Sequence, residues 1–192
     1  TDCNTKCSAD GACEGYTNNG RDAIGWGDSA KGGDLPTLTG SLVEIVSGSE
    51  TFAALKADGS VQAWGDQTYG GVDPGITSGV QKIYSTQYAF AALKTDGSVQ
   101  VWGGATQGGS DPNIGAGSGI TEIFSNQVAF AALKSDGSVQ VWGDSARGGA
   151  DPSISSGVST IFSNIWAFVA LKSDGSVKAW GNSDYGGNNN DV

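Results

Sequence analysis

A Trp-Gly pair returns at Trp26, Trp64, Trp102, Trp142 and Trp180, at intervals of 38, 38, 40 and 38 residues. Six residues after each Trp a Gly-Gly pair begins, at Gly32, Gly70, Gly108, Gly148 and Gly186. A fixed period of this length restricts the fold to one supersecondary unit stacked on copies of itself, because a single unit cannot bury its own apolar surface. Three units add Asp-Pro after the glycines (Asp73-Pro74, Asp111-Pro112, Asp151-Pro152), and the first has Asp34-Leu35-Pro36. The two extra residues of the longest interval fall between Asn113 and Ile120, which marks that stretch as a loop.

Each complete unit carries three strand-like runs; in the second they are VQKIYST from Val80, YAFAALK from Tyr88 and SVQVWG from Ser98. No window holds helical periodicity beyond a turn, and glycine-rich connections oppose helix. The turn between the second and third runs reads Lys-x-Asp-Gly-Ser in all four complete units. A two-residue Asp-Gly loop would pair Leu55 with Gln62 and Ala53 with Trp64. A three-residue loop, with Gly59 left-handed in a bulge, pairs Leu55 with Val61 and Phe52 with Trp64. The second register sets apolar against apolar and aromatic against aromatic, and is preferred. One face then carries Ala53, Leu55, Val61 and Ala63, and the other carries Phe52, Ala54 and Trp64, with Gln62. A sheet apolar on both faces has to be sandwiched. The expected fold is all-β, with tandem antiparallel repeats of about 38 residues in a small β-propeller-like ring of about five blades or an open array. Nothing like FAALK precedes Trp26, so four complete units follow one degenerate hairpin. The expected boundaries are a Cys-containing segment over 1–21, a repeat domain over 22–187 with units ending near 27, 65, 103, 143 and 181, and a polar tail over 188–192.

The phrase AFAALKSDGSVQVWGDSARGG, from Ala129 to Gly149, resembles the regulator of chromosome condensation family of β-propeller repeats. The match lies in an apolar strand, Asp-Gly, a strand ending in Trp-Gly, and a Gly-containing loop. It is nearest to the short repeats of large bacterial and algal proteins, and it covers about Asp22 to Gly187. The resemblance implies antiparallel blades around an axis, used as a platform for protein interaction. This unit is shorter than the family's usual one, and five Trp-Gly elements make at most a small ring where the family usually has seven blades. The basic surface of the chromatin-binding members is absent, and no residue matches the loops that carry nucleotide exchange.

Charge narrows the partners. Ten Lys and Arg stand against 20 Asp and Glu, a formal net charge of −10. Nucleic-acid binding draws on cations that neutralise phosphates, and the field here has the opposite sign. DNA, RNA and anionic membranes are therefore not expected partners. No apolar run approaches the roughly 18 residues that span a bilayer. The chain contains no Met and begins at Thr1, as expected of a mature end left after removal of a leader. With Cys3, Cys7 and Cys13 near that end, an extracellular destination is expected, or alternatively an organelle lumen.

The absence of His excludes Ser-His-Asp and Cys-His nucleophiles and His-bearing zinc sites. The repeated turn carboxylates Asp58, Asp96, Asp136 and Asp174 are equivalent copies, whereas a glycosidase needs two unlike carboxyls at one cleft. Accepting backbone hydrogen bonds before a left-handed Gly explains them. The connector carboxylates Asp34, Asp73, Asp111 and Asp151 have a turn-initiating reading and a binding one, a rim of oxygen ligands for Ca²⁺ or another hard cation. The periodic tryptophans read as packing. The aromatics outside the period are better suited to a surface role: Tyr69 and Tyr185 beside Gly-Gly pairs, and Trp166 and Tyr88 where other units have Thr51 and Val128. For the three cysteines the plainest reading is an intrachain disulfide plus one thiol able to tether a second chain, with the connectivity open. The expected function is a non-enzymatic extracellular or lumenal scaffold that binds proteins or copies of itself. The alternative is a lectin-like or Ca²⁺-dependent module that binds a ligand such as a glycan through the loop Asp, Asn and Tyr rim. No other cofactor is expected.

Overall fold

The computed structural model describes residues 5–7, 13–15 and 25–188. A short hairpin, β1 (Thr5–Cys7) with β2 (Cys13–Gly15), is followed by four three-stranded antiparallel sheets in chain order. The first is β3 (Leu42–Ser47), β4 (Thr51–Lys56) and β5 (Val61–Gly65); the second is β6 (Val80–Ser85), β7 (Ala89–Lys94) and β8 (Val99–Gly103). The third is β9 (Ile120–Ser125), β10 (Ala129–Lys134) and β11 (Val139–Gly143); the fourth is β12 (Val158–Ser163), β13 (Ala167–Lys172) and β14 (Val177–Gly181). The middle strand of each sheet is also the middle one in sequence, so all pairings are between successive strands. Among the described residues the only helical turns are three-residue 3-10 turns, one after each Trp-Gly. The stretch between Asn113 and Ile120 is a loop, as the insertion implies.

The bulged turn forms as expected. Phe52 lies opposite Trp64 and Leu55 opposite Val61, and the other three sheets repeat the register. Gly59 has φ 77°, its N–H donates to the Lys56 carbonyl at 2.9 Å, and Lys56 N–H closes the loop on Ser60 at 2.9 Å. The positive φ is why Gly stands in every copy of this turn.

Both faces of each internal sheet are buried against neighbours. Ala53, Leu55 and Val61 on the first sheet receive Ile83, Phe90, Ala92 and Trp102 of the second. Ala89, Ala91, Leu93 and Val99 receive Ile123, Phe130, Ala132 and Trp142 of the third. Ala129, Ala131, Leu133 and Val139 receive Ile161, Phe168, Ala170 and Trp180 of the fourth. Each sheet thus has a receiving face of small and branched residues and an inserting face led by a Phe–Trp pair. Those rings stack across the strands at 5.1 to 5.4 Å between centroids. The alternation of small and large side chains lets successive sheets approach and fill the space between them.

A second device fixes the indole. Nε1–H of Trp64, Trp102, Trp142 and Trp180 donates at 3.2 Å to the carbonyl of Gly32, Gly70, Gly108 and Gly148, the first glycine of the preceding unit. Gly108 shows why glycine is required there. Its φ is 111°, and an added Cβ would stand 2.6 Å from the Phe130 ring.

Four sheets of three strands are present among the described residues, one for each complete unit of the sequence, and the structure corrects one expectation. Trp26, read as a packing residue with the others, is 82% exposed. The physical reason is that no FAALK-like strand among the described residues covers it.

Candidate functional site

Repeated carboxylates hold the backbone. Oδ1 of Asp58, Asp96, Asp136 and Asp174 accepts the N–H of the serine two residues on at 2.9 Å. Ser98, Ser138 and Ser176 also donate their hydroxyls, at 2.6 to 2.7 Å. The serine hydroxyl first, and its N–H second, hold these four carboxyls below the usual carboxylate range. Both bonds favour the ionised form.

The connector carboxylates are exposed and also make local bonds. Asp73, Asp111 and Asp151 each accept through Oδ1 the N–H two residues on, from Gly75, Asn113 and Ser153, at 2.7 to 2.8 Å. Asn113 and Ser153 are drawn into the left-handed region at φ 56°, where Gly75 sits at 68°. Asp111 and Asn113 line a shallow hollow with Val99, Ile114 and Gly115. Asp34 occupies the corresponding exposed connector of the first unit. Among the described residues no three of His, Cys, Asp or Glu gather where they could hold a metal ion. Asp28, Asp66 and Asp144, directly after Trp-Gly, cap the 3-10 turns through the N–H of Ala30, Thr68 and Ala146. Asn182 does the same for Asp184.

The variable aromatics meet at the junctions between sheets. Strand register corrects the sequence alignment by one residue: Thr51 is the counterpart of Ala89, Ala129 and Ala167, so Glu50 stands where Tyr88, Val128 and Trp166 do. The last residue of three of the 3-10 turns then meets that position in the following sheet. Lys31 pairs with Glu50 at 2.8 Å, and Tyr69 lies against Tyr88 at 4.7 Å. The Arg147 guanidinium sits 5.3 Å from the Trp166 ring centroid. Trp166 also meets Tyr185 edge-on at 4.2 Å and donates Nε1–H to Gln127 Oε1 at 2.7 Å. Four of these pairs share a spacing of 19 residues, which was the signal in the sequence that could have revealed them.

The same rim carries a backbone ladder missed in the sequence. Ser49 N–H donates to Gln87, Gln87 N–H to Gln127, and Gln127 N–H to Ile165, at 2.8 to 3.2 Å. Hydroxyls add to it, from Ser85 to the Ser47 carbonyl and from Ser163 to the Ser125 carbonyl. Gln62, Gln100 and Gln140 tie the first three sheets to the preceding connector through the carbonyls of Thr37, Pro74 and Pro112. Of the cysteines, Cys7 and Cys13 are register partners in the β1–β2 hairpin, and Cys3 lies outside the described residues.

The end faces of the stack differ from its interior. Phe162 is 58% exposed and Ile165 53%, although their counterparts in earlier units abut a following sheet. At the other end, Ile45 is 47% exposed where Ile83, Ile123 and Ile161 are each at 2%.

Residues 42–70 match the family model described as the regulator of chromosome condensation (RCC1) repeat. No curated protein matches the chain. Among solved structures, yeast RCC1 (Prp20) bound to Kap60 is similar at a TM-score of 0.57 and 17% identity, over 77% of this chain and 45% of that one. Prp20p from Saccharomyces cerevisiae matches at 0.54 and 15%, over 73% and 43%. The receptor kinase CR4 ectodomain from Physcomitrella patens matches at 0.53 and 19%, over 76% and 40%. The chain spans less than half the length of these proteins. One unit thus matches the regulator of chromosome condensation repeat model, and the four sheets share their fold with β-propeller proteins of that type.

Proposed function

We propose that this chain is a non-enzymatic scaffold that acts through protein contacts, including contacts with copies of itself, in an extracellular or lumenal setting. The observation that carries the reading is the use made of its polar residues. The repeated carboxylates accept backbone N–H groups, the variable charges and aromatics pair across sheet junctions, and the apolar faces at the two ends stay open. Exposed apolar surface of this kind is suited to protein association. Relatives in fold support the direction: yeast RCC1 was solved bound to Kap60, and Prp20p was described with its binding to Gsp1p and histones. The CR4 ectodomain supports an extracellular use of the fold. No described helix is long and apolar enough to cross a membrane. An intrachain disulfide among Cys3, Cys7 and Cys13, with one thiol left over, belongs to the same reading.

No cofactor enters this reading. Its test is sedimentation over a concentration series, with and without Ca²⁺, beside a glycan array. Concentration-dependent association indifferent to Ca²⁺, without glycan retention, is expected. A strictly monomeric chain that retains glycans only with Ca²⁺ overturns it in favour of the lectin-like alternative.

A further inference from the structure

Successive sheets are joined at both ends of their strands. At the rim, one backbone bond crosses each junction: Ser49 N–H to Gln87 at 2.8 Å, Gln87 N–H to Gln127 at 2.9 Å, and Gln127 N–H to Ile165 at 3.2 Å. At the far end, about 20 Å away along a six-residue middle strand, the Asp-Gly turn meets the chain that leads into the next sheet. There the three junctions differ. Val80 N–H donates to the Gly59 carbonyl at 3.1 Å across the first, and Val158 N–H to the Gly137 carbonyl at 3.0 Å across the third. Val80 and Val158 are the opening residues of β6 and β12, so in both cases the turn grips the next sheet itself. Across the second junction the Gly97 carbonyl takes the Ser118 hydroxyl at 2.6 Å, and Gly117 N–H donates to the Asp96 carbonyl at 2.8 Å. Both groups belong to the connector that precedes β9. Close approach is lost as well. An added Cβ at Gly59 would stand 2.6 Å from Gly79 N and at Gly137 2.5 Å from Gly157 N, but at Gly97 it would be 3.7 Å from Gly119 N.

The cause lies in the sequence. The first and third connectors read DPGITSGV from Asp73 and DPSISSGV from Asp151, whereas the second reads DPNIGAGSGI from Asp111. Its two extra residues, and glycine at Gly115, Gly117 and Gly119, make a longer and less restrained tether. Gly115 and Gly117 are exposed, and an added Cβ at either would meet nothing within 4 Å. The shallow hollow bounded by Val99, Asp111, Asn113, Ile114 and Gly115 lies at the same end. We infer that the second junction is a hinge, pivoting on the Gln87–Gln127 bond at the rim and opening at the turn end between Gly97 and Ser118. In the closed form Leu93 and Val99 of the second sheet share one apolar cluster with Ile120 and Ile123 of the third. Opening at one end only changes the angle between the two halves of the stack without separating them. The inference concerns motion within one chain and is independent of the scaffold reading.

Methyl relaxation dispersion on the full chain tests this, on the timescale of hinge motions. Exchange with one common rate is expected at Leu93, Val99, Ile114 and Ile120, around the second junction. None is expected at the equivalent Leu55, Val61, Ile76 and Val80, or at Leu133, Val139, Ile154 and Val158. Corrected for intrinsic rates, amide exchange is expected to be about tenfold or more faster at Gly117 than at Val80 and Val158, with Gln87 as protected as Ser49 and Gln127. Deleting Ala116 and Gly117 restores the shorter connector and is expected to abolish the methyl exchange. Inserting Gly-Ala between Ser155 and Ser156 lengthens the third connector and is expected to bring exchange to Leu133, Val139, Ile154 and Val158. Circular dichroism and melting curves establish that each variant folds, and the comparison of junctions within the wild type stands without either. Exchange confined to the amides of 115–119, with all these methyls quiet, shows a mobile loop and overturns the hinge. Methyl exchange that survives the deletion, or that is equal at all three junctions, overturns it too.

Discussion

Trp142 and Trp26 are followed by nearly the same seven residues, yet the first is 6% exposed and the second 82%. The difference lies in what surrounds the motif. Trp142 has Phe130 stacked across the strand and Gly108 beneath it from the unit before. Trp26 has neither among the described residues. The phased Trp-Gly is therefore buried where a Phe ring stacks on the indole and a Gly-Gly loop accepts its N–H. The two ends of the stack teach the same lesson, since Ile45 and Phe162 occupy repeat positions that are packed wherever a neighbouring sheet exists.

That contrast is open to attack by paired substitutions at interior and end positions. The largest effect is expected from Phe130→Ala, which empties a fully buried site and should cost about 3–5 kcal/mol in urea unfolding. Phe52→Ala, in the half-buried end sheet, should cost clearly less; equal losses would erase the distinction between interior and end. Next comes glycine. Gly108→Ala forces a methyl against the Phe130 ring in a left-handed backbone and should cost about 2–4 kcal/mol. Gly186→Ala carries the backbone strain alone, about 1–2 kcal/mol, and a thermal melt separates the two.

Smaller again is Trp142→Phe. It removes the donor to the Gly108 carbonyl and should cost about 1–3 kcal/mol, whereas Trp26→Phe should leave the monomer within about 0.5 kcal/mol. A comparable loss at Trp26 would mean that its loop packs within the single chain. The smallest effect belongs to the exposed turn carboxylates. Their folded-state pKa values are lowered, so their stabilisation is complete above the ordinary carboxylate value of about 4 and is lost as pH falls through the lowered values. Replacing Ser60, Ser98, Ser138 and Ser176 by Ala removes the hydroxyl donors and should move the acid unfolding midpoint to higher pH. An unmoved midpoint, followed by near-ultraviolet circular dichroism, would show that the hydroxyls do not set it.

Much of the fold was legible because its determinants are local. The Asp-Gly turn, the bulge and the Phe52–Trp64 pairing are all contained within Phe52 to Trp64, and strand register follows from them. The candidate site was legible only in part. Tyr69, Tyr88, Trp166 and Tyr185 stood out as departures from the repeat, but the Tyr69–Tyr88 contact and the Arg147 and Gln127 contacts of Trp166 lie across sheet junctions. Arg147 and Lys31 gave no such signal until the register placed them against Trp166 and Glu50. The connector aspartates looked the same on either reading, because an Asp before Pro serves a turn and a ligand equally well. Only the N–H groups aimed at Oδ1 show the turn each of them makes.

By itself the sequence determined the repeating unit, its three strands, its turn and the two apolar faces that demand neighbours. Tertiary structure decided which copies of those faces are covered and how the variable side chains pair. The physical reason is that turn geometry and strand pairing act over a few residues, whereas burial is a property of two surfaces brought together.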